Sequence, residues 1–263
     1  MKMIRDRAAW LMGGDAVCTV QPPEVEHPLR LILLGAPGIG KGTQAELLAS
    51  GFACCPLSTG DVFRAASAPD HGGCAGYEPT RAMTAALAYM RKGELVPDKT
   101  VLNLVSERAR CLRCRGGFLL DGFPRTVAQA EALDQILERE AIKLDAVLSY
   151  DLPIEHVIAR ASGRRTCVKC KAVYHLCARP PARDGICDRC GAKLFEREDD
   201  KPETIRVRME AYERSTAPLA EYYRGKGLLI SISADGVPGA VFARTLDALA
   251  ARILPPEPPQ TAR

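Results

Sequence analysis

The sequence predicts an α/β fold in which a five-stranded, mainly parallel sheet is flanked by helices. Short apolar runs recur at residues 29–34, 118–120, 146–148 and 228–232, and helical patterns lie between them. One such pattern, in residues 127–137, repeats its apolar side chains at the spacing of one helix face. Continuous apolar runs suit strands that are buried on both faces, and strands that alternate with helices favour a parallel sheet.

The two ends of the chain and one charged segment carry less regular patterns. Residues 1–28 form a loosely organised extension of unknown function, and its apolar patch at 8–12 is too short for a signal-peptide core. The patch suits a short docked helix with Trp10 as its anchor. The charged run at 203–224 predicts a largely solvated helix, and the proline-rich residues 253–263 predict an extended, mobile tail.

Composition excludes several classes of protein. A chain of 263 residues that is 47% apolar can bury a substantial core as one large domain with inserts. The 36 basic and 32 acidic residues leave a net charge of +4, too small for a polycation that coats nucleic acid. No uncharged apolar stretch reaches the roughly 18 residues of a membrane span, and 11 cysteines are too few for a small disulfide scaffold.

A glycine-rich segment follows the first apolar run and opens a helical pattern. Its spacing, Gly-x4-Gly-Lys from Gly35 to Lys41, is that of a phosphate-binding loop. Backbone N–H groups in such a loop surround an anion, the helix N-terminus adds partial positive charge, and the lysine reaches the outer phosphates. Gly42 departs from the general motif, which has Ser or Thr there. The segment predicts a nucleoside triphosphate site formed by Gly38, Ile39, Gly40, Lys41, Gly42 and Thr43.

Four cysteines have the spacing of a metal site. Cys167 and Cys170 are followed, after sixteen residues, by Cys187 and Cys190. Two C-x2-C knuckles at this spacing place four thiolates at the corners of a tetrahedron, which suits zinc. With four protein ligands no position stays open for a catalytic water, so the predicted zinc is structural. His175 and Cys177 lie between the knuckles and are expected to pack within this segment.

Three further motifs, together with the phosphate loop and Gln44, point to a family. They are Ser-Thr-Gly-Asp at 58–61, Gly-Glu-Leu-Val-Pro-Asp at 93–98 and Leu-Asp-Gly-Phe-Pro-Arg at 120–125. In this order they closely resemble the adenylate kinase family of nucleoside monophosphate kinases, from about residue 31 to about residue 249. The resemblance implies a P-loop kinase core at 29–57, 98–162 and 201–252, a helical monophosphate-binding insert at 58–97, and a zinc-ribbon lid at 163–200.

The same resemblance implies an activity and its residues. A phosphoryl group would pass by direct in-line attack from Mg²⁺-ATP to AMP, giving two ADP, while the lid closes. The catalytic residues would be Lys41, Asp121, Arg125, Arg164, Arg197 and Arg208. Asp121 would hold Mg²⁺ through water, and Asp61 is a second candidate for that water shell.

The resemblance also divides the nucleotide contacts into two sets. Beyond the phosphate loop, ATP would contact Arg160, Arg164, Val173, Tyr174 and the main chain of Pro238. AMP would contact Thr59, Arg64, Glu94, Leu95, Val96, Gly122, Phe123, Pro124, Arg125, Gln129, Arg197 and Arg208. Within this set, Gln129 would read the adenine edge.

Two other functions remain open at this point. A kinase of the same fold could act on CMP or UMP; Gln129 and the long lid argue against it, whereas the lengthened segment 68–81 leaves the acceptor contacts open. The basic, zinc-ribbon-like lid could instead belong to a nucleotide-sensing or nucleic-acid-binding module. Because the lid lies between arginines that the enzyme needs, we expect ATP and AMP or ADP as partners, no nucleic acid and no membrane. A monomer in the cytoplasm is the family expectation.

Outside the lid, six cysteines belong to none of these predicted sites. Cys111 and Cys114 form a third C-x2-C just before the strand that ends at Asp121. One hypothesis is a second metal or redox site built from these thiols. The other is packing in a helix end and the core, which a lone C-x2-C favours. The remaining four cysteines, outside any motif, are Cys18, Cys54, Cys55 and Cys74.

Overall fold

The computed structural model describes residues 8–13, 15–66, 81–170, 172–177 and 179–253. In chain order its elements are α1 (Ala8–Met12), β1 (Leu29–Gly35), α2 (Lys41–Phe52), β2 (Cys55–Ser58), α3 (Thr59–Ala66), α4 (Arg81–Lys92), α5 (Asp98–Glu107), β3 (Gly117–Asp121), α6 (Val127–Arg139), β4 (Ala146–Asp151), α7 (Ile154–Ser162), β5 (Arg164–Cys167), β6 (Val173–His175), β7 (Leu194–Phe195), α8 (Pro202–Ala211), α9 (Leu219–Gly225), β8 (Leu229–Ser233) and α10 (Pro238–Ile253). Short 3₁₀ turns occupy Ala109–Arg113 and Glu198–Asp200, and a π turn occupies Tyr212–Thr216.

A five-stranded sheet in the order β2-β3-β1-β4-β8 forms the centre of the fold, and every pairing in it is parallel. The predicted α/β fold with a five-stranded parallel sheet is therefore confirmed. β1 lies in the middle, where Leu33 pairs with Asp121 of β3 and with Leu148 of β4. The carboxyl ends of β1 and β3 thus meet at one edge of the sheet, where open α/β sheets bind ligands.

Both faces of the sheet are covered, as the continuous apolar runs predict. Leu31 and Leu33 of β1 belong to one buried cluster, which α2 and α10 complete. Ile32 and Leu34 belong to another on the opposite face, which includes side chains of α5, α6 and α9. Neighbouring residues of a strand point to opposite faces, so a strand buried on both sides has no polar alternation.

Two expectations about individual elements were incomplete or wrong. β2 is not evident from the sequence, because its four residues include Pro56 and show no apolar run. It lies at the edge of the sheet, where a missing N–H is tolerated. The single solvated helix expected at 203–224 is wrong: a π turn and Pro218 divide it into α8 and α9. Its inner face is buried, at Ile205, Met209, Leu219 and Tyr223.

A second, smaller sheet lies outside the main one. β5, β6 and β7 pair antiparallel in the order β6-β5-β7. Its buried cluster consists of Cys167, Ala172, Tyr174 and Cys187. So small an apolar cluster provides little stability by itself, which is the situation in which a structural metal is usually needed.

The N-terminal extension contains the expected short helix, α1, and Trp10 is only 1% exposed. The Trp10 indole Nε1 donates a hydrogen bond to the Ser58 carbonyl oxygen at 3.0 Å, where β2 ends and α3 begins. The tail expected beyond residue 253, Cys74 and most of the segment 68–81 lie outside the described residues. Within the described ranges, no helix is both long enough and apolar enough to cross a membrane.

Candidate active site

The phosphate loop connects the carboxyl end of β1 to the N-terminus of α2. Gly35, Gly38 and Gly40 have φ angles of 138°, 90° and 108°, which L residues rarely adopt. A Cβ atom at Gly35 would also lie 2.7 Å from the Tyr150 carbonyl oxygen, so the turn needs glycine there. The Lys41 ammonium donates to the carbonyl oxygens of Gly35 at 2.7 Å and Ala36 at 2.9 Å. The lysine therefore begins α2 with its charge held over the loop.

Charged groups from several elements converge on Lys41. The pKa of Lys41 is lowered to about 8, chiefly by burial; Asp121 opposes this lowering, and the positive charges of Arg125, Arg208 and Arg164 add to it. Three arginines and one aspartate near Lys41 give this region a field of net positive charge. The phosphates of a nucleotide have the sign and the number of charges to fill that field.

Asp121 lies at the end of β3, beside the phosphate loop. It pairs with Leu33 of β1 and with Ser58 of β2. A Cβ atom placed on Gly42 would be 4.0 Å from Asp121 Oδ2. The carboxylate therefore faces the first turn of α2, where the outer phosphates of a nucleotide would lie.

A buried carboxylate that sequence reasoning missed holds two of the predicted arginines. Asp200 Oδ1 lies 3.3 Å from Arg164 Nη1 and 3.5 Å from Arg208 Nη1, and the Asp200 side chain is 0% exposed. Arg208 Nη1 also lies 3.0 Å from Asp199 Oδ2. Burial raises the pKa of Asp200, while the guanidinium of Arg164 opposes that rise. No described residue donates a hydrogen bond to Asp200 Oδ2.

The other two arginines of the lid side make different contacts. Arg197 Nε donates to Thr166 Oγ1 at 2.9 Å, across the small sheet. Arg160 Nη1 donates to the Ala234 carbonyl oxygen at 2.9 Å, and its Nη2 donates to that of Gly236 at 3.0 Å. Arg160 thereby fixes the loop after β8 against α7. The Pro238 carbonyl oxygen, predicted to have a main-chain role, accepts from Gln44 Nε2 at 3.0 Å.

A second pocket lies beyond Asp121 as seen from the phosphate loop, between the N-terminal end of α3 and the start of α6. Thr59 Oγ1 and Arg125 Nε both donate to the Gly122 carbonyl oxygen, at 3.0 Å and 2.9 Å. Gly122 has a φ of 80°, and a Cβ there would lie 3.1 Å from the Thr59 hydroxyl. The pocket is lined by Thr59, Phe63, Met90, Val96, Val101, Gly122, Arg125 and Gln129.

Gln129 is held in this pocket by partners on both sides of its amide. Its Oε1 accepts from the Arg125 backbone N–H at 2.8 Å, and its Nε2 donates to Asp98 Oδ1 at 2.7 Å. Asp98 also accepts from the Thr126 hydroxyl at 3.1 Å. Sequence reasoning assigned Gln129 to the pocket but missed Asp98, which fixes the orientation of that amide. These two contacts fix the Gln129 side chain, which is 1% exposed, at the wall of the pocket.

Some predicted contact residues have side chains that cannot face a nucleotide in this conformation. Phe123 is 0% exposed and packs in the core, and Pro124 is also buried, so any contact of theirs with a nucleotide would involve the main chain. Tyr174 is 5% exposed and lies in the small cluster of the lid, with its hydroxyl 3.5 Å from Cys187 Sγ. The side chain of Arg64 is outside the part of the chain that the structure describes.

The four predicted zinc ligands come together in the lid. The sulfur atoms of Cys167, Cys170, Cys187 and Cys190 all lie within 4.8 Å of one another. Two of the distances, Cys167 to Cys190 and Cys170 to Cys187, are 3.4 Å and 3.5 Å. A zinc tetrahedron with Zn–S bonds of about 2.3 Å has edges of about 3.8 Å, so the four thiols fit zinc. Within the described residues, neither His175 nor Cys177 belongs to this group.

Similarity to known proteins agrees with this geometry. The sequence model of the family described as adenylate kinase matches residues 33–228. The chain belongs to the adenylate kinase family. It is 49% identical to the adenylate kinase of Caldicellulosiruptor bescii over 202 residues, which are 77% of this chain and 90% of that protein. It is 45% identical to that of Streptomyces griseus over 224 residues, 85% of this chain and 98% of that one.

The similarity extends to archaea as well. The adenylate kinase of Archaeoglobus fulgidus is 47% identical over 204 residues, which are 78% of this chain and 90% of that protein. The adenylate kinase family match begins at Leu33, inside β1, so it does not include α1 or the rest of the extension. The docking of Trp10 against Ser58 is therefore a feature of this chain that the family match does not cover.

Proposed function

We propose that this enzyme catalyses the adenylate kinase reaction, the reversible transfer of a phosphoryl group from Mg²⁺-ATP to AMP that gives two ADP. Its relatives at 45–49% identity are named adenylate kinases. The observation that carries the proposal is the convergence of three arginines on Lys41 at the phosphate loop. Phosphoryl transfer requires positioning and charge neutralisation rather than covalent chemistry. A cluster of cations between the phosphate loop and the second pocket would supply both the positioning and the charge neutralisation.

On the donor side, Lys41 and the phosphate loop would hold ATP. Lys41 now donates to two backbone carbonyl oxygens, and phosphate binding would replace these bonds with stronger, charge-assisted ones. The loop glycines leave backbone N–H groups directed at the polyphosphate. Before the nucleotides bind, Arg164 and Arg208 both pair with the carboxylate of Asp200. This pairing would keep both guanidinium groups within reach of the transferred phosphoryl group.

On the acceptor side, Arg125 would bind the phosphate of AMP and Gln129 its base. Arg125 is half-buried and held by Gly122, which supports a fixed orientation of its planar guanidinium. The base would enter between Val96 and Val101, and the remaining Gln129 N–H would donate to a ring nitrogen of adenine. The acceptor phosphate then lies between Arg125 and Lys41, in line for attack on the γ-phosphorus of ATP.

Magnesium enters with ATP, and Asp121 fits its requirements. Mg²⁺ prefers carboxylate oxygens and keeps several of its waters. Asp121 ends β3 at the first turn of α2, and its charge opposes that of the surrounding arginines. The ion supplies neutralising charge between the phosphates when bound. Asp121 would hold it through water, so that its position relative to Lys41 is defined.

Zinc would be held by the four lid cysteines and would act on folding rather than on chemistry. Four protein ligands complete a tetrahedron, and the cluster of apolar side chains around them is small. A lid that is folded by the metal can close as a unit over ATP, a motion for which adenylate kinases are a standard example. Closure excludes water, which would otherwise accept the phosphoryl group.

The oligomeric state, compartment and ligand range form the rest of the proposal. A monomer is what the resemblance to the family implies. Arg164 and Arg197 of the lid contact Asp200 and Thr166 within the fold, and we propose nucleotides rather than nucleic acid as their ligand. ATP as substrate and zinc-binding thiols both suit the cytoplasm.

An acceptor panel tests the activity and its specificity. ADP formation from Mg²⁺-ATP is followed with AMP, CMP, UMP or GMP, on protein of known zinc content. A strong preference for AMP is the expected result, and Arg125→Lys should lower kcat/KM for AMP because a point charge replaces a two-pronged contact. Arg139→Lys, on the exposed last turn of α6, is the matched control. Preference for another acceptor contradicts the role of Gln129, and no turnover contradicts the activity itself.

A further inference from the structure

Cys18, in the N-terminal extension, lies near three cysteines that are distant from it in the sequence. The Cys55 thiol forms a hydrogen bond with that of Cys114, and the thiols of Cys111 and Cys18 are near enough to interact electrostatically with it. Cys111 interacts in turn with Cys18 and Cys114. They come from three segments: the extension, the start of β2 and the turn before β3. We call these four residues the extension cysteines.

The extension is fixed at this position by contacts that do not involve thiols. The Arg108 guanidinium, 2% exposed, donates from Nε to the Trp10 carbonyl oxygen at 2.6 Å. Gly13 packs directly on it, since a Cβ atom there would lie 2.7 Å from Arg108 Cζ. Further along, the Arg110 guanidinium donates to the Ala16 carbonyl oxygen. The backbone on the N-terminal side of the first extension cysteine is therefore held against the core independently of any metal.

Hydrogen bonding at one of these sulfur atoms resembles that in the lid. The Ala9 backbone N–H donates to Cys18 Sγ at 3.4 Å. In the lid, the Cys170 backbone N–H donates to Cys167 Sγ at the same distance, 3.4 Å. The Cys18 sulfur thus makes the same kind of backbone contact as one of the predicted zinc ligands of the lid.

The extension cysteines differ from Cys54, which packs in the core. Cys54 is 0% exposed, and its thiol contacts the Leu48 carbonyl oxygen at 3.7 Å. It behaves as a small buried apolar side chain. All four extension cysteines are instead partly exposed, which leaves an entry path for an ion. Cys55 and Cys111 also pack against the core, but packing alone does not account for the approach of Cys18 and Cys114 to them.

We propose that Cys18, Cys55, Cys111 and Cys114 form a second tetrathiolate zinc site, which fastens the N-terminal extension to the core. Four protein ligands make such a site structural. The four thiol protons pass to solvent as the thiolates bind the ion. Within the described chain, only the lid cysteines have their ligand atoms all within 4.8 Å of one another, so the extension cysteines must draw together when they bind.

The position of this site gives it a consequence for the insert. Cys55 begins β2, whose last residue, Ser58, accepts the hydrogen bond of Trp10. The next residue is Thr59, which begins α3 and lines the second pocket. A metal that ties the extension to β2 would thus stiffen the strand from which the predicted monophosphate-binding insert departs.

Zinc content per chain tests the proposal, and it does not depend on activity. Protein purified without metal affinity resin and desalted should contain two zinc ions per chain, against one in Cys18→Ser and one in Cys111→Ser with Cys114→Ser. Cys177→Ser, an exposed lid cysteine outside both groups, should keep two. Replacement of zinc by Co²⁺ should give thiolate-to-cobalt absorption of about twice the intensity in wild type as in Cys18→Ser, since each site contributes four thiolates.

Three results would overturn the proposal. One is a wild-type protein with a single zinc ion, unchanged by any of the extension variants. Another is a count of fewer than 11 reactive thiols in denatured, metal-free protein. Because the sequence has 11 cysteines, a lower count would indicate a disulfide instead of a metal site. The third is full zinc content in Cys18→Ser. Circular dichroism of each variant identifies any that fails to fold, and Cys18→Ala then replaces Cys18→Ser.

Discussion

The binding of ATP should weaken at a pH at which most lysines remain charged. Burial and the neighbouring arginines lower the pKa of Lys41 from 10.5 to about 8. The enzyme without nucleotide therefore loses this positive charge as the pH rises through 8. Phosphate esters have lost their last proton by then, since their second pKa is about 6. Because the polyphosphate prefers the charged lysine, its binding should weaken between pH 7 and pH 9.

The size of this effect follows from one titrating group. With a pKa of about 8, the charged fraction of Lys41 falls from about nine-tenths at pH 7 to about one-tenth at pH 9. The Kd of Mg²⁺-ATP should then rise about tenfold over that range, and binding at pH 9 should take up nearly one proton. Calorimetric titration in two buffers of different ionisation enthalpy measures both quantities at constant ionic strength.

The matched control is Lys41→Arg, whose guanidinium stays charged throughout this pH range. Its Kd for ATP should be higher than that of wild type at pH 7 but nearly the same at pH 7 and pH 9. A wild-type Kd that does not change with pH would refute the reasoning. The same is true of a change of equal size in wild type and Lys41→Arg, because the titrating group would then not be Lys41.

Three further predictions concern the lid, the arginine anchor and the extension. Cys170→Ser, or removal of zinc by a chelator, should unfold the lid and raise KM for ATP far more than that for AMP; equal changes in the two KM values would contradict a structural role for the metal. Asp200→Ala leaves the Arg164 charge without its buried partner, so the free energy of unfolding measured in urea should fall by about 3–5 kcal/mol, and an unchanged midpoint would show that the pair contributes nothing. Trp10→Phe leaves the Ser58 carbonyl oxygen without its donor and should cost about 1–3 kcal/mol in the same assay, whereas no change would mean that water replaces the indole.

Local spacing made much of the fold and site predictable from the sequence. The phosphate loop lies within a few residues of one strand, and its glycines and Lys41 are recognisable by spacing alone. The lid cysteines were also predictable from their spacing, because two C-x2-C knuckles within one segment supply the four ligands of a zinc tetrahedron. The strands β1, β3 and β4 were evident because each contains a short apolar run that is buried on both faces of the sheet, whereas β8 is partly exposed and alternates isoleucine with Ser231 and Ser233.

Features that depend on contacts between distant segments were not predictable in this way. Asp98 is 31 residues from Gln129, and Asp200 is 36 residues from Arg164, so neither pairing leaves a local pattern. An aspartate that anchors an arginine has the same appearance in a sequence as one in a solvated turn. The convergence of Cys18 with Cys111 depends in addition on how the extension docks, which a single sequence does not specify.

Direct transfer between two nucleotides on one chain is the central claim, and the fate of a labelled phosphoryl group tests it. Enzyme is mixed with ATP labelled with ³²P at the γ-phosphate and with unlabelled AMP, and the products are separated after a single turnover. We expect label in the β-phosphate of ADP, two ADP for each ATP consumed, and almost no label in inorganic phosphate. Label that remains on the protein, or that appears in inorganic phosphate when AMP is saturating, would contradict it.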